Sequence, residues 1–325
     1  MKEKTKKKIV LFIVILIIGF LLSETVLRFF LAKPSYPVEQ VRLSEFKDIG
    51  HELIPNIDVI DEGPIIKLKP VKVKTNSFGI RDKEYSLEKP KNIIRIIGLG
   101  DSVTFGAYIE EKDTFLNVLE EKLNENGNYE VINFALSGYN TEQNLAVLKH
   151  KAIKFNPDIV LLVFVYNDFE EPTNPIAEDS FIQKLRNLMR HVYTVRLAYW
   201  NYIKLTEESK IETEYSKLDE TRKQITFDSM KKMAEISKKN NVKFVVLIWP
   251  HLPVWQNDFY QGYKKDIIKL AEESKFYVIE MDDIWQGYNE EELIVPKEGH
   301  PNALANRIVG EKLYESFLNQ GIIEE

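Results

Sequence analysis

The sequence contains no cysteine, which excludes disulfide bonds, cysteine nucleophiles and cysteine ligands to a metal. Histidine is also scarce, with 5 residues in 325, and no pair of histidines has the spacing of a metal site, so we expect no metal and no other cofactor. Basic residues do not outnumber acidic ones, and the formal net charge is -6. A general nucleic-acid-binding protein would have a basic face, so the charge argues against that class.

A long hydrophobic run lies at the N-terminus. Residues 1–8 hold five lysines, and residues 9–22 follow without a charged side chain. The run resumes to residue 32, with Glu24 and Arg28 near the outer interface, and is then long enough to cross a bilayer. Because lysines ahead of a span stay in the cytoplasm, we predict a cytoplasmic tail (1–8), a transmembrane signal-anchor (9–32) and an extracytoplasmic remainder. A cleaved signal peptide is the alternative.

The segment that follows the hydrophobic run is rich in proline. Residues 33–90 contain six prolines, which makes long helices improbable there. Residues 65–75 alternate lysine with apolar side chains and predict a β-strand. We interpret residues 33–90 as a membrane-proximal segment ahead of the main domain.

From residue 91 to residue 325, short apolar runs alternate with helical patterns. Strands are predicted at 92–97, 129–134, 159–165, 242–249 and 276–281, and helices at 114–126, 141–155, 226–240, 258–274 and 303–319. Strands that are apolar on both faces and separated by helices indicate a parallel sheet covered on both sides. We therefore predict an α/β fold: a three-layer α/β/α sandwich around a five-stranded parallel sheet.

One stretch of this domain, residues 169–224, is far longer than an ordinary connection. We predict an insertion that lies beside the ends of the strands. Its aromatic and basic residues are compatible with a lid, with a membrane-facing surface or with an ordinary amphipathic helix that covers the core.

Unusual polar residues follow three of the predicted strands. They are Gly100-Asp101-Ser102 after the first strand, Ser137-Gly138 after the second and Asn167-Asp168 after the third. Glu298-Gly299-His300-Pro301-Asn302 stands before the last helix. Each group alone is compatible with simple turn chemistry. Together and in this order they are specific, because ligands of parallel sheets bind at the carboxyl ends of the strands.

In these groups the sequence resembles the SGNH or GDSL hydrolase superfamily, whose fold is flavodoxin-like. The resemblance implies that Ser102 is the nucleophile and His300 its base. It also implies an oxyanion hole formed by Ser102, Gly138 and Asn167. The run Asn76-Ser77-Phe78-Gly79-Ile80-Arg81 is similar to a segment found in membrane-anchored members. The chemistry agrees, because a serine hydroxyl needs an adjacent base and a tetrahedral intermediate needs donors at its negative oxygen.

The sequence departs from the family pattern at two positions. Val165 occupies the place of a glycine, and Lys297 that of an aspartate three residues before the histidine. The third triad member, which orients the base, could be Glu298, Asp282, Asp283 or a backbone carbonyl. Among the remaining histidines, His251 follows a strand end and is a possible substrate contact. We expect the other three, His51, His150 and His191, to be surface or half-buried residues.

The resemblance implies an esterase, and the predicted location suggests its substrates. We expect cleavage of O-acyl esters, in particular O-acetyl esters, on extracytoplasmic glycans or lipids through an acyl-serine intermediate. One alternative is an O-acyltransferase that modifies cell-surface polysaccharide. The other is a non-catalytic scaffold or binding module that keeps the fold.

Overall fold

The structure of the protein is a computed structural model. It describes residues 3–31, 40–63, 68–172, 188, 192–198, 201, 220–250, 258–296 and 299–324. All structural statements below concern these residues.

The N-terminal run forms a long helix, α1 (Glu3–Phe30), of 28 residues. Its apolar side chains are exposed along most of its length. At 1.5 Å per residue the helix is about 42 Å long, enough to cross a bilayer with a margin. Within the described part of the chain it is the one helix that is both long and apolar enough to span a membrane. These properties are consistent with a single-pass anchor.

The described segment of the predicted insertion contacts α1 through Glu24, the buried residue of that helix. Its carboxylate accepts hydrogen bonds from the backbone N–H groups of Tyr193 (2.8 Å) and Thr194 (3.0 Å) and from the Thr194 hydroxyl (2.8 Å). Arg28 pairs with Glu24 at 3.2 Å, and the guanidinium groups of Arg28 and Arg196 each lie over the Tyr193 ring. Helix α1 is therefore bonded to the insertion.

The membrane-proximal segment forms two antiparallel strand pairs. Strand β1 (Val41–Leu43) pairs with β2 (His51–Leu53), and β3 (Asp58–Asp61) pairs with β4 (Val71–Lys74). The predicted strand at 65–75 is therefore shorter than expected. Apolar residues from this segment lie in the same hydrophobic cluster as the main sheet: Val41, Ile49, Leu53, Val73 and Ile80. The segment packs on the main domain, and residue 90 as a domain boundary stays a prediction.

The main sheet has five strands, all parallel: β5 (Ile94–Leu99), β6 (Tyr129–Asn133), β7 (Ile159–Phe164), β8 (Lys243–Ile248) and β9 (Tyr277–Ile279). Their spatial order is β6-β5-β7-β8-β9. Counted along the sheet's own strands, this is the 2-1-3-4-5 order of flavodoxin-like folds. The predicted five-stranded parallel sheet is confirmed.

Helices cover both faces of the sheet. They are α2 (Ser102–Phe105), α3 (Phe115–Leu123), α4 (Thr141–His150), α5 (Glu220–Lys239), α6 (Asp258–Ser274), α7 (Glu290–Leu293) and α8 (Ala303–Asn319). On one face α4, α5 and α6 bury Val147, Met230 and Ile267 against the sheet. On the other, α3 and α8 bury Leu119 and Val309. The predicted three-layer sandwich is therefore confirmed.

Candidate active site

The turn after β5 places Ser102 at the start of a short helix. Asp101 caps α2, because its carboxylate accepts a hydrogen bond from the backbone N–H of Val103 at 2.9 Å. Gly100 is required by packing, since a Cβ there would lie 2.2 Å from the Thr104 hydroxyl oxygen. The helix ends at Gly106, whose φ of 74° is left-handed. These contacts hold a half-buried Ser102 at the carboxyl edge of the sheet.

The structure brings Ser102 and His300 together. His300 Nε2 lies 3.0 Å from Ser102 Oγ, within hydrogen-bond distance. Two backbone contacts hold His300 in place. Pro301 pairs with Ile294 in an isolated β-bridge, and the N–H of Val295 donates a hydrogen bond to the carbonyl of His300 at 2.7 Å. The two residues are separated by 198 positions in the chain, so the fold alone creates this pair.

Asn167 follows β7, the strand beside β5, and lies at the same edge. Its side-chain N–H donates to Asp101 Oδ2 at 2.9 Å, so the turns after the two strands are joined. One side-chain N–H of Asn167 is left over from this bond, and Asn167 Oδ1 is buried without a hydrogen-bond partner among the described residues. The point between β5 and β7 is where the strand order reverses, which is where such sheets bind ligands.

Two neighbours shape the turn that carries Asn167. Val165 is extended, with φ of -123° and ψ of 156°, a conformation that any residue adopts, so valine replaces the family's glycine without strain. Asp168 is fully buried, and its carboxyl group accepts hydrogen bonds from Thr141 Oγ1 and from Val165 N–H, both at 2.8 Å. Burial raises the pKa of Asp168 well above its usual range, and the nearby Asp101 carboxylate adds to that shift.

Gly138 lies in the turn after β6, on the other side of β5. It is exposed and has φ of 87°, a value that favours glycine. The next residue, Tyr139, donates its hydroxyl proton to the carbonyl of His51 and packs against the His51 ring. The prediction that His51 is a surface or half-buried residue is wrong: β2 places it fully inside the core, and burial lowers its pKa to about 4. The membrane-proximal segment thus supports the Gly138 turn.

A cavity of about 350 Å³ opens beside Ser102 and His300. Aromatic and aliphatic side chains that the sequence analysis did not select contribute to its lining: Tyr166, Trp249, Trp285, Leu293 and Ile294. The Trp285 indole donates to the Pro250 carbonyl at 3.1 Å, which fixes the ring. Trp249 ends a predicted strand and could have been selected from its position. Trp285 stands in an irregular stretch after β9, where the sequence gives no such signal.

The predictions for the remaining site residues have different outcomes. Glu298 and His251 lie outside the described residues, and so does His191. Asp282 forms an ion pair with Lys264 and accepts a hydrogen bond from the Tyr260 hydroxyl at 3.4 Å, while Asp283 is exposed. The identity of the acid that assists His300 therefore stays a prediction. His150 is half-buried, as expected, and bonds to Asp48.

Comparison with known proteins identifies the family of this chain. The profile of the GDSL-like lipase/acylhydrolase family matches residues 99–308, from the end of β5 into α8. The protein therefore belongs to the GDSL-like lipase/acylhydrolase family, and it is a hydrolase that acts on ester bonds. A search of curated protein sequences gives no significant match.

Solved structures that resemble the chain share little sequence with it. The crystal structure of TesA has 13% identity and a TM-score of 0.46, and the alignment covers 69% of this chain and 98% of that one. An acetyl xylan esterase, AlAXEase, has 16% identity, a TM-score of 0.45 and coverage of 69% and 100%. The psychrotrophic esterase EstA from Pseudoalteromonas sp. has 14% identity, a TM-score of 0.44 and coverage of 70% and 99%.

Proposed function

We propose that the protein is a serine esterase that cleaves O-acyl esters, in particular O-acetyl esters, of extracytoplasmic glycans or lipids. The observation that carries the proposal is the 3.0 Å contact between Ser102 Oγ and His300 Nε2. A nucleophile and its base within hydrogen-bond reach form the arrangement that serine hydrolases use. This contact also argues against a non-catalytic scaffold, which would have no need of it.

The reaction proceeds through two transfers. His300 Nε2 takes the proton of the Ser102 hydroxyl while Oγ attacks the ester carbonyl carbon. The tetrahedral intermediate then collapses, the C–O bond to the alcohol breaks, and His300 returns the proton to the leaving oxygen. In the second half, His300 takes a proton from a water that attacks the acyl carbon, the bond from that carbon to Ser102 Oγ breaks, His300 returns the proton to Oγ, and the carboxylic acid is released. Glu298 is our candidate for the acid that orients His300.

The negative oxygen of the intermediate needs donors. We assign this role to the backbone N–H groups of Ser102 and Gly138 and to the side-chain amide of Asn167. Asn167 Nδ2 already donates to Asp101 at 2.9 Å, and this bond orients the amide so that its second N–H remains for substrate. Asp101 thus acts as a fixed support for the amide as well as the cap of the nucleophile helix.

Replacing Asn167 by alanine is expected to lower kcat by about 10²- to 10³-fold, because one oxyanion donor is lost, with a smaller change in KM. Steady-state kinetics on p-nitrophenyl acetate measure both constants. Asn117→Ala is the matched control: it also removes a half-buried amide that donates a hydrogen bond, here to the backbone carbonyl of Glu111 at 2.6 Å, but it lies on α3. Equal losses of kcat in the two variants would remove Asn167 from the oxyanion hole.

The substrate proposal rests on the cavity and on location. Trp249 and Trp285, which are only 5% and 4% exposed, form aromatic walls of the cavity beside Ser102, and we assign a short acyl group as its occupant. The five lysines ahead of the apolar run at residues 9–22 favour a cytoplasmic N-terminus, which puts the catalytic domain on the opposite side. Protease treatment of intact cells tests the side: a catalytic domain that stays resistant there, but is digested after lysis, contradicts an extracytoplasmic location.

A series of p-nitrophenyl esters tests the activity and the acyl preference of the full-length protein in detergent. We expect the highest kcat/KM with acetate and a steady fall toward octanoate, with Ser102→Ala as the blank. A preference for octanoate would contradict the short-acyl proposal and favour lipid acyl chains.

Acyl transfer to a sugar is the second candidate, and one observation favours it. Arg222 donates to the carbonyls of Phe169 (3.2 Å) and Glu170 (2.7 Å), so the insertion leaves and rejoins the domain directly beside Asn167. An insertion whose two ends lie beside the active site is in a position to shield an acyl-serine from water. Adding oligosaccharides to the acetate assay separates the two: acetylated sugar, with donor turnover that follows acceptor concentration, establishes transfer, whereas free acetate alone supports hydrolysis.

A further inference from the structure

The run of residues 76–81 forms a rigid turn that presents Arg81. Asn76 Oδ1 accepts hydrogen bonds from the N–H groups of Phe78 (2.9 Å) and Ile80 (3.0 Å). Gly79 has φ of 73°, and a Cβ there would lie 2.6 Å from the carbonyl oxygen of Leu53. The asparagine and the glycine of the run are thus accounted for by the turn itself. Arg81 is the residue of the run whose hydrogen bonds reach the loop after α2.

Arg81 reaches the loop that follows the nucleophile helix. Its Nη1 donates to the carbonyls of Phe105 (3.1 Å) and Gly106 (2.9 Å), and its Nη2 donates to the carbonyl of Ile109 (2.7 Å). The side chain is only 2% exposed. No described carboxylate lies within ion-pair distance of it, so its hydrogen bonds go to backbone carbonyls, while Glu111, Glu110 and Asp61 act on its charge from farther away.

The same loop contacts both members of the Ser102–His300 pair. The N–H of Ala107 donates to the carbonyl of Ser102 at 3.0 Å, so the loop closes directly on the nucleophile's backbone. Tyr108 has φ of 64°, unusual for a tyrosine, and its ring meets the His300 ring edge-on, with 5.2 Å between centroids. A backbone in that conformation persists where surrounding contacts hold it, and the Arg81 bonds to residues 105, 106 and 109 are among the contacts that hold this loop.

We infer that Arg81 is a positioning residue for ester hydrolysis: it fixes residues 105–109, and through Ser102's carbonyl and the Tyr108 ring it sets the geometry of Ser102 against His300. The inference rests on the proposed function. It gives the run 76–81 a purpose at the active site, although that run precedes the catalytic strand by more than a dozen residues.

Arg81→Lys tests the inference, because lysine keeps the charge but cannot bond three carbonyls in a planar fork. We expect kcat on p-nitrophenyl acetate to fall by about 10²-fold, the cost of a misplaced reacting group, while KM changes by less than about 3-fold. Labelling of Ser102 by a fluorophosphonate should slow by a similar factor. Wild-type kcat together with a lower melting temperature would make Arg81 purely structural and overturn the inference.

Arg95→Lys is the matched control. Arg95 is equally buried and donates to a backbone carbonyl, Phe155 O at 2.7 Å, but it lies near the amino end of β5, away from the site. We expect it to lower the melting temperature with kcat unchanged. An equal loss of kcat in both lysine variants would show a general effect of disturbed buried arginines and contradict the inference.

Tyr108→Ala tests the same inference while it leaves the buried guanidinium of Arg81 in place. It decides whether the loop positions the catalytic pair if Arg81→Lys does not fold. Tyr108→Ala should lower kcat, as Arg81→Lys does. In the double variant with Arg81→Lys, the fold-reduction of kcat should be smaller than the product of the two single fold-reductions, because both residues act through one loop. Unchanged kcat in Tyr108→Ala, or full multiplicativity, would overturn the inference. Failure of the proposed function is distinguishable, since wild-type protein would then neither hydrolyse the ester nor label at Ser102.

Discussion

Ser102→Ala is expected to lower kcat for ester hydrolysis by about 10⁴-fold or more, to the level that binding and oxyanion donors alone support. The alanine cannot form an acyl intermediate, and His300 then has no hydroxyl to activate. The fold should persist, because α2 is held by the Asp101 cap and by Gly106 and not by the Ser102 side chain. Steady-state kinetics and a thermal melt on the same preparation measure the two properties.

Ser229→Ala is the control for that variant. It removes a buried hydroxyl that donates to Ile225 O at 2.9 Å on α5, remote from the Ser102–His300 pair, so kcat should be unchanged. Turnover by Ser102→Ala near the wild-type rate would refute the assignment of the nucleophile.

His300→Ala is expected to have an effect of similar size, about 10⁴-fold in kcat, because an unassisted serine hydroxyl is a weak nucleophile. The double variant with Ser102→Ala should be no slower than either single variant, since the two residues act as a unit. Added imidazole can occupy the space of the missing ring, so it should restore part of the activity of His300→Ala and none of that of Ser102→Ala.

His150→Ala is the matched histidine control. His150 is half-buried and bonds to Asp48 at 2.9 Å at the far end of α4, so its loss should leave kcat intact. If His300→Ala hydrolyses the ester at a rate close to that of His150→Ala, His300 is not the base.

Glu298→Gln should lower kcat less than His300→Ala does, because an orienting acid only assists the base.

Local pattern was sufficient to predict the layers of the fold and the positions of the polar turns. Strands that are apolar on both faces have few alternatives to a buried parallel sheet, and turns at the ends of parallel strands share one edge. The first strand nevertheless ends two residues later than predicted. Gly98 lies within β5, and a Cβ there would come 2.4 Å from Leu116 Cδ1 of α3. The glycine lets the Leu116 side chain pack closely against β5.

Long-range contacts were beyond the reach of the sequence pattern. The Arg81 guanidinium bonds to carbonyls 24 to 28 residues away, and nothing in the spacing of the run 76–81 indicates which backbone it meets. The burial of His51 likewise depends on β2 packing beneath Tyr139, a pairing between segments that lie 88 residues apart. Trp285 reaches the cavity only because the irregular stretch after β9 turns back toward Pro250.

The bond between Glu24 and the insertion has a consequence for where the insertion lies relative to the membrane. A domain held by one helix ordinarily swings and rotates on the chain that leaves the bilayer. Here the helix is attached a second time, through Tyr193 and Thr194, 169 and 170 residues further along the chain. With α1 across a bilayer, this second attachment places residues 193 and 194 of the insertion at the level of Glu24 and opposes free rotation of that part of the insertion about the helix.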